Sequence, residues 1–264
     1  MAWDDIGHSA LLARLSGAGL TGIGVSCALG GAGGTLRDAA DAVLALARSS
    51  ERAAVVLACQ RQFIEVLLRG RNVAARAHRL PYAIEGQVPA ACAVTWPAGA
   101  MTAPLRARNT GRGWRLAGHL PPLPNLGGDW FMAAVPVDFG AGAYAMVSLS
   151  SDEDGIMVER PSSEPAGIAC GQATLRDVFF REDEILEADG PGLAAAVEPF
   201  ALALRAAIVA GATLGDPPQG EARVLALYAQ VAAVLDGASP DAARASLQAL
   251  RQLRAQALVP DPLA

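Results

Sequence analysis

The stretch Ala166-Gly-Ile-Ala-Cys-Gly-Gln-Ala-Thr-Leu-Arg-Asp-Val-Phe-Phe-Arg-Glu-Asp-Glu-Ile-Leu186 decides how the rest of the chain is read. A glycine-flanked turn leads into an apolar run with Leu175, Val178, Phe179 and Phe180, which predicts a strand. The acidic turn Glu182-Asp-Glu184 follows, and beyond it lies a long apolar helical block. Upstream, short apolar segments alternate with turn residues, as an antiparallel β-domain requires.

The strands expected there are Ala91–Thr95, Leu105–Arg108, Trp114–Gly118, Trp130–Val137, Tyr144–Ser148, Met157–Glu159 and Leu175–Phe180. Asn109-Thr-Gly-Arg-Gly113 reads as a hairpin tip, because its glycines supply the positive φ that tight turns demand. Asp152-Glu-Asp-Gly155 reads as a solvated turn, since metal ligation needs partners that the sequence does not supply there.

On the N-terminal side, residues 1–90 are helical in pattern. Met1–Leu20 is amphipathic through Ile6, Leu11, Leu12 and Leu15, and it runs into glycine-rich sequence. Thr35 with Asp38 three residues on forms a capping box for the next helix, which carries Leu36, Ala39, Ala40, Val43, Leu44 and Ala47. Glu51–Leu68, capped by Ser49 or Ser50 and closed by Gly70, is apolar enough (Val55, Val56, Ala58, Phe63, Val66, Leu67) to be covered on most sides. Val73–Leu80 is a short helix that Pro81 stops. His78, beside Arg79, reads as a surface or interface residue and not a catalytic base.

On the C-terminal side three helices are expected: Leu193–Gly211, Glu221–Leu235 and Asp241–Leu258, with Asp216-Pro-Pro-Gln-Gly220 breaking the first from the second. Leu193–Gly215 is long and apolar, yet Glu198, Pro199 and Arg205 make it a buried bundle helix and not a membrane span. The fold class is therefore α+β: an N-terminal helical domain (1–90), a central antiparallel β-barrel-like domain (91–187) and a short C-terminal helical bundle (188–264).

Composition bounds the function. The chain has 264 residues, 52% hydrophobic and 18% charged, with mean hydropathy +0.30. Such an apolar excess predicts an oligomer, either of itself or with a partner paralogue. Net charge is −5, which argues against a nucleic-acid surface. All 21 basic residues are Arg; without Lys, Schiff-base chemistry and lysine phosphate loops are excluded. Cys27, Cys59, Cys92 and Cys170 are scattered, which predicts reduced thiols in a cytoplasmic protein.

No zinc spacing, Ser-His-Asp order or paired-carboxylate motif appears, and no catalytic residue is assigned. The glycine run Thr21-Gly-Ile-Gly-Val25 to Gly34 precedes a helix but lacks the strand that a dinucleotide fingerprint needs, so it reads as a tight loop. His119 has no visible carboxylate partner and reads as structural.

The order of blocks, the glycine loop of 21–34, Gly118…Asp129-Trp130 and Leu204-Arg-Ala-Ala…Leu-Gly215 together resemble the acyl-CoA dehydrogenase superfamily over nearly the whole chain. That resemblance implies a flavin oxidoreductase that binds FAD between β-domain and helices and acts on an acyl thioester. A flavin monooxygenase variant belongs to the same expectation. The family's TEPgaGSD loop aligns with Thr95-Trp-Pro-Ala-Gly-Ala-Met-Thr102, so Thr95, Ala100 and Met101 are the implied cofactor contacts. Thr95 and Pro97 are kept; Met101 replaces a serine and cannot donate its hydrogen bond.

The family's aromatic and hydroxyl positions against the flavin fall near Pro121 and Leu123, the other two implied contacts. Prolines at 121, 122 and 124 remove backbone donors there. The resemblance thus implies a degenerate flavin site. The base that most members place late in the bundle has no counterpart here. The minority position beside the arginine that aligns with Arg205 holds Leu204, and Glu198 is the only carboxylate in that helix. An alternative follows: a non-catalytic ligand-binding or partner subunit that keeps the fold without FAD.

Overall fold

The computed structural model describes residues 3–93, 105–126, 130–140, 142–159, 168–214 and 221–257. Four helices come first: α1 (His8–Gly17), α2 (Leu36–Ala47), α3 (Glu51–Arg69) and α4 (Val73–Ile84). The strands follow as β1 (Ala90–Cys92), β2 (Leu105–Asn109), β3 (Trp114–Pro124), β4 (Met132–Asp138), β5 (Tyr144–Ser150), β6 (Ile156–Glu159), β7 (Cys170–Phe180) and β8 (Ile185–Glu187). Then come α5 (Gly190–Thr213), α6 (Glu221–Ala232) and α7 (Pro240–Ala257). Helices, sheet and helices thus stand in the order the sequence predicts.

The strands form one sheet in the order β6-β7-β3-β2-β4-β5-β8, with β1 beside β4. Most neighbours are antiparallel, but β1 and β2 both run parallel to β4 and share one of its edges. β1 pairs with Met132–Ala134 and β2 with Val137–Asp138. The sheet is therefore mixed, a departure from the all-antiparallel expectation. Parallel neighbours need long connections, and sequence periodicity does not register them.

Three local outcomes follow from packing. α4 continues through Pro81 to Ile84, because Leu80, Ala83 and Ile84 are buried and their burial outweighs one lost helical hydrogen bond. β3 runs on to Pro124, well past Gly118, and slips register between Leu120 and Leu123 where Pro121 and Pro122 stand opposite the single residue Gln172. A two-for-one bulge suits prolines, which have no N–H for the ladder. β8 lies where only an acidic turn is expected; it pairs with β5.

The capping box at Thr35 forms as predicted, with Asp38 N–H donating to the Thr35 hydroxyl and Thr35 N–H to the Asp38 carboxylate. α2 and α5 approach closely: a Cβ on Gly211 would sit 2.4 Å from Leu44 O and 2.5 Å from the Ala47 Cβ, so only glycine fits. One apolar core runs through α1, α2, α3, α5, α6 and α7 and the inner face of the sheet. α5 is long and apolar enough to cross a membrane, but it is mostly buried, as a core helix is. Cys59, Cys92 and Cys170 are buried and Cys27 is exposed, and none of the four forms a disulfide.

Candidate functional site

α3 passes through the centre of the molecule with every residue from Ala53 to Leu67 buried. A helix covered on all sides must also bury whatever polar residues it carries. Gln60 and Arg61 are both 0% exposed, and they point into two different junctions.

The first junction joins α3 to the sheet. Gln60 Nε2 donates to Ala83 O at 2.9 Å and Val88 O at 3.0 Å. Its Oε1 accepts from Ala90 N–H at 2.9 Å and from Asn125 Nδ2 at 3.1 Å. Asn125 Nδ2 also donates to Ala90 O at 2.9 Å, and its backbone N–H to Ala169 O. Asn125 holds a left-handed φ of 70°, which asparagine tolerates better than most residues. The end of β3, the start of β1 and the end of α4 are thus tied to one amide.

The second junction lies between α3, the glycine loop and α5. Arg61 Nη1 donates to Thr21 O at a long 3.4 Å, and the face of the Phe200 ring lies 5.6 Å from the guanidinium carbon. Its Nε and Nη2 are buried and unpartnered among the described residues. Glu65, one turn on, is taken by Arg69 at 2.5 Å. Burial pushes the Arg61 pKa down to about 10, only partly opposed by the Glu65 charge.

The glycine loop's own amides bond within the loop: Ile23 to Leu20 O, Gly24 to Gly33 O, Val25 to Gly22 O and Ala32 to Gly22 O. They form a tight inter-helix turn.

Of the implied cofactor contacts, Thr95, Ala100 and Met101 lie outside the described residues. Pro121 is half-buried on the β3 bulge, and Leu123 is 0% exposed inside the apolar core. Around them β3 offers few donors. Positions 121, 122 and 124 have no N–H, and the Asn125 amide is already engaged. This described part of the segment does not fit a flavin edge, which takes hydrogen bonds from its protein.

The remaining candidates are structural. His119 is exposed and lies 3.0 Å from the Thr174 hydroxyl, and His78 is exposed beside Tyr82. Glu198 accepts from Arg244 at 2.7 Å, and Arg244 also binds Asp241. That ion pair accounts for Glu198 on the exposed side of α5. Buried Arg205 donates to Ala201 O. In a cleft of about 250 Å³ lined by Arg69, Arg71, Glu187, Asp189, Gly192, Leu193 and Ala196, Arg69 pairs with Glu65, Arg71 pairs with Glu187, and Asp189 caps α5 by accepting from Gly192 N–H. Among the described residues no group of three or more His, Cys, Asp or Glu side chains is placed to hold a metal ion.

Sequence reasoning missed Gln60 and Arg61. The signal was available: three polar residues, Gln60-Arg-Gln62, lie inside an otherwise apolar helix expected to be covered nearly all round.

No family model matches the sequence, nor does any curated protein. Solved structures do match in shape. Butyryl-CoA dehydrogenase from Megasphaera elsdenii aligns at TM-score 0.74 and 16% identity, over 93% of this chain and 76% of that one. The chain has the acyl-CoA dehydrogenase fold. PigA, solved with FAD and proline, aligns at TM-score 0.76 and 15% identity, over 94% and 76% of the two chains. The ChsE4-ChsE5 complex from Mycobacterium tuberculosis aligns at 0.64 and 20%, over 93% and 71%.

Proposed function

We propose that this chain is an acyl-CoA dehydrogenase-like flavin oxidoreductase chain with a degenerate flavin site. It takes an acyl thioester or a related small substrate between its sheet and its helices. The fold supports the class, since its structural neighbours include a butyryl-CoA dehydrogenase and a protein solved with FAD. The observation that carries the degenerate site is the Pro121–Pro122 bulge beside buried Leu123, where donors for a flavin are missing. FAD is the cofactor this reading implies; when bound, it would accept the electrons of substrate oxidation. Thr95, Ala100, Met101 and Pro121 are its proposed contacts; Leu123, the fifth aligned position, is buried in the core.

The same bulge favours a second reading, a non-catalytic partner subunit that keeps fold and interface. One structural neighbour is itself a complex of two different chains. An assembly of either kind, and a cytoplasmic location, belong to the proposal.

The test is the visible absorbance of freshly purified, untagged protein, followed by FAD titration and addition of acyl-CoA thioesters. Weakly retained FAD that bleaches slowly with a thioester supports the oxidoreductase. A tightly held stoichiometric FAD refutes the degenerate site. A colourless protein that takes up no FAD leaves the partner subunit.

A further inference from the structure

α7 packs against α5, and their polar edges meet in register. Glu198 on α5 accepts from Arg244 on α7, at 3.2 Å from Nε and 2.7 Å from Nη2. Two helical turns further along each helix stand Arg205 and Arg251. The first register position is an ion pair. The second sets two like charges together.

Arg205 is buried at 8% exposure, while Arg251 across from it is exposed, so the seam between them reaches solvent. Arg205 Nε is tied back to Ala201 O at 3.2 Å, which leaves the two Nη groups as its free end. Among the described residues neither Nη takes part in a hydrogen bond or ion pair, and Arg251 makes none either. Burial lowers the pKa of Arg205 first, and the Arg251 charge lowers it next, ahead of the opposing Glu198 charge. Glu198 is the one acid whose field reaches Arg205, and it is already held by Arg244, which also binds Asp241.

Two adjacent cations without a counterion, one of them buried, require negative charge from outside the chain. A planar carboxylate brings one charge and lies along a single guanidinium. A tetrahedral dianion brings two, and its oxygens point toward both helices at once. We propose that Arg205 and Arg251 together hold a phosphate dianion, with the Nη groups of Arg205 on its inner side and Arg251 closing on it from α7. The phosphate is either free or the terminal group of a phosphate monoester. The seam lies where α7 meets α5 and involves no flavin, so this site stands or falls separately from the oxidoreductase reading.

The test is isothermal titration and thermal denaturation of the purified full chain with inorganic phosphate. Glycerol 3-phosphate is run in parallel, acetate is the comparison, and chloride holds the ionic strength constant. The expected result is saturable binding of phosphate with a matching rise in Tm that acetate does not give. Tighter binding of glycerol 3-phosphate than of phosphate assigns the site to a monoester, and the reverse order assigns it to the free ion. Arg251→Gln, at an exposed position, lowers the phosphate affinity about tenfold or more, as loss of a charge-assisted contact does. Arg205→Gln does the same, and if it does not fold, Arg251→Gln carries the test. Arg223→Gln, at an exposed position on α6, leaves the affinity unchanged. The proposal is overturned if neither phosphate nor glycerol 3-phosphate binds the parent, if acetate raises Tm as much, or if Arg251→Gln binds phosphate as well as the parent does.

Discussion

Gln60 and Arg61 are adjacent on one helix and equally buried, yet their surroundings are opposite. Gln60 has both donor hydrogens and its carbonyl matched, and it joins α4, β1 and β3. Arg61 has one long hydrogen bond, an aromatic face and a covered edge without a hydrogen-bond partner. Burial is the same for both, so the difference lies in what each does with it. A satisfied amide specifies how the sheet seats on the helices. An unsatisfied cation destabilises the fold unless something outside the chain completes it.

Breaking the satisfied side has the largest effect. Gln60→Met keeps the volume but strands Ala83 O, Val88 O and Ala90 N–H in a dry interior. At roughly 1–3 kcal/mol for each buried group left unpaired, and with partial relaxation, the expected loss is about 3–4 kcal/mol. Urea unfolding followed by circular dichroism measures it. A loss below about 1 kcal/mol removes the amide from the role given to it here. Asn125→Ala comes next, at about 2–3 kcal/mol, because it deletes two hydrogen bonds and places alanine at φ 70°. Asn125→Gly recovers about 1 kcal/mol of that by relieving the backbone alone. Equal midpoints for the two variants would show that the left-handed conformation carries no strain.

How much of this was legible in the sequence depends on the range of the interaction. The Thr35–Asp38 box, the Asn109–Gly113 hairpin and the starts of α2, α3, α4 and α6 are written within four or five residues, and they appear as read. Block order and the acyl-CoA dehydrogenase fold were legible too, through spaced motifs such as Gly118…Trp130. The parallel seating of β1 and β2 on β4 was not, because the partners lie 30 or more residues apart and nothing local marks them. Pro81 misled for a related reason: a local rule for stopping helices lost to the tertiary burial of Ala83 and Ile84. The junction at Gln60 and Arg61 was half-legible. Polar letters inside a fully covered helix announce buried partners without saying which. The implied flavin contacts divide in the same way, with Leu123 placed in the core and Thr95 outside the described residues.

On the unsatisfied side the expected sign reverses. Arg61→Met replaces a buried, uncompensated cation by an apolar chain of similar length. It gives up only the long bond to Thr21 O and the Phe200 contact. In ligand-free protein this variant is expected to equal the parent or exceed it by about 1 kcal/mol. A loss of several kcal/mol, comparable to Gln60→Met, would mean that the guanidinium is already satisfied and that the two junctions do not differ.

The smallest effect is a pH dependence of that last comparison. Burial lowers the folded-state pKa of Arg61 from its ordinary value to about 10, so the folded chain holds this proton less tightly than the unfolded one. Between those two values the unfolded chain binds more protons, and stability attributable to this group rises with pH. Below about pH 10 the charged form is present in both states and its burial cost is carried in full. The advantage of Arg61→Met over the parent is therefore expected to be constant through neutral pH and to narrow as pH rises past about 10. Other groups titrate there as well, but they are common to both proteins and cancel in the difference. Paired urea midpoints at pH 8 and pH 10.5 measure it. If the difference between the two proteins is flat across that range, the Arg61 cation carries no desolvation cost.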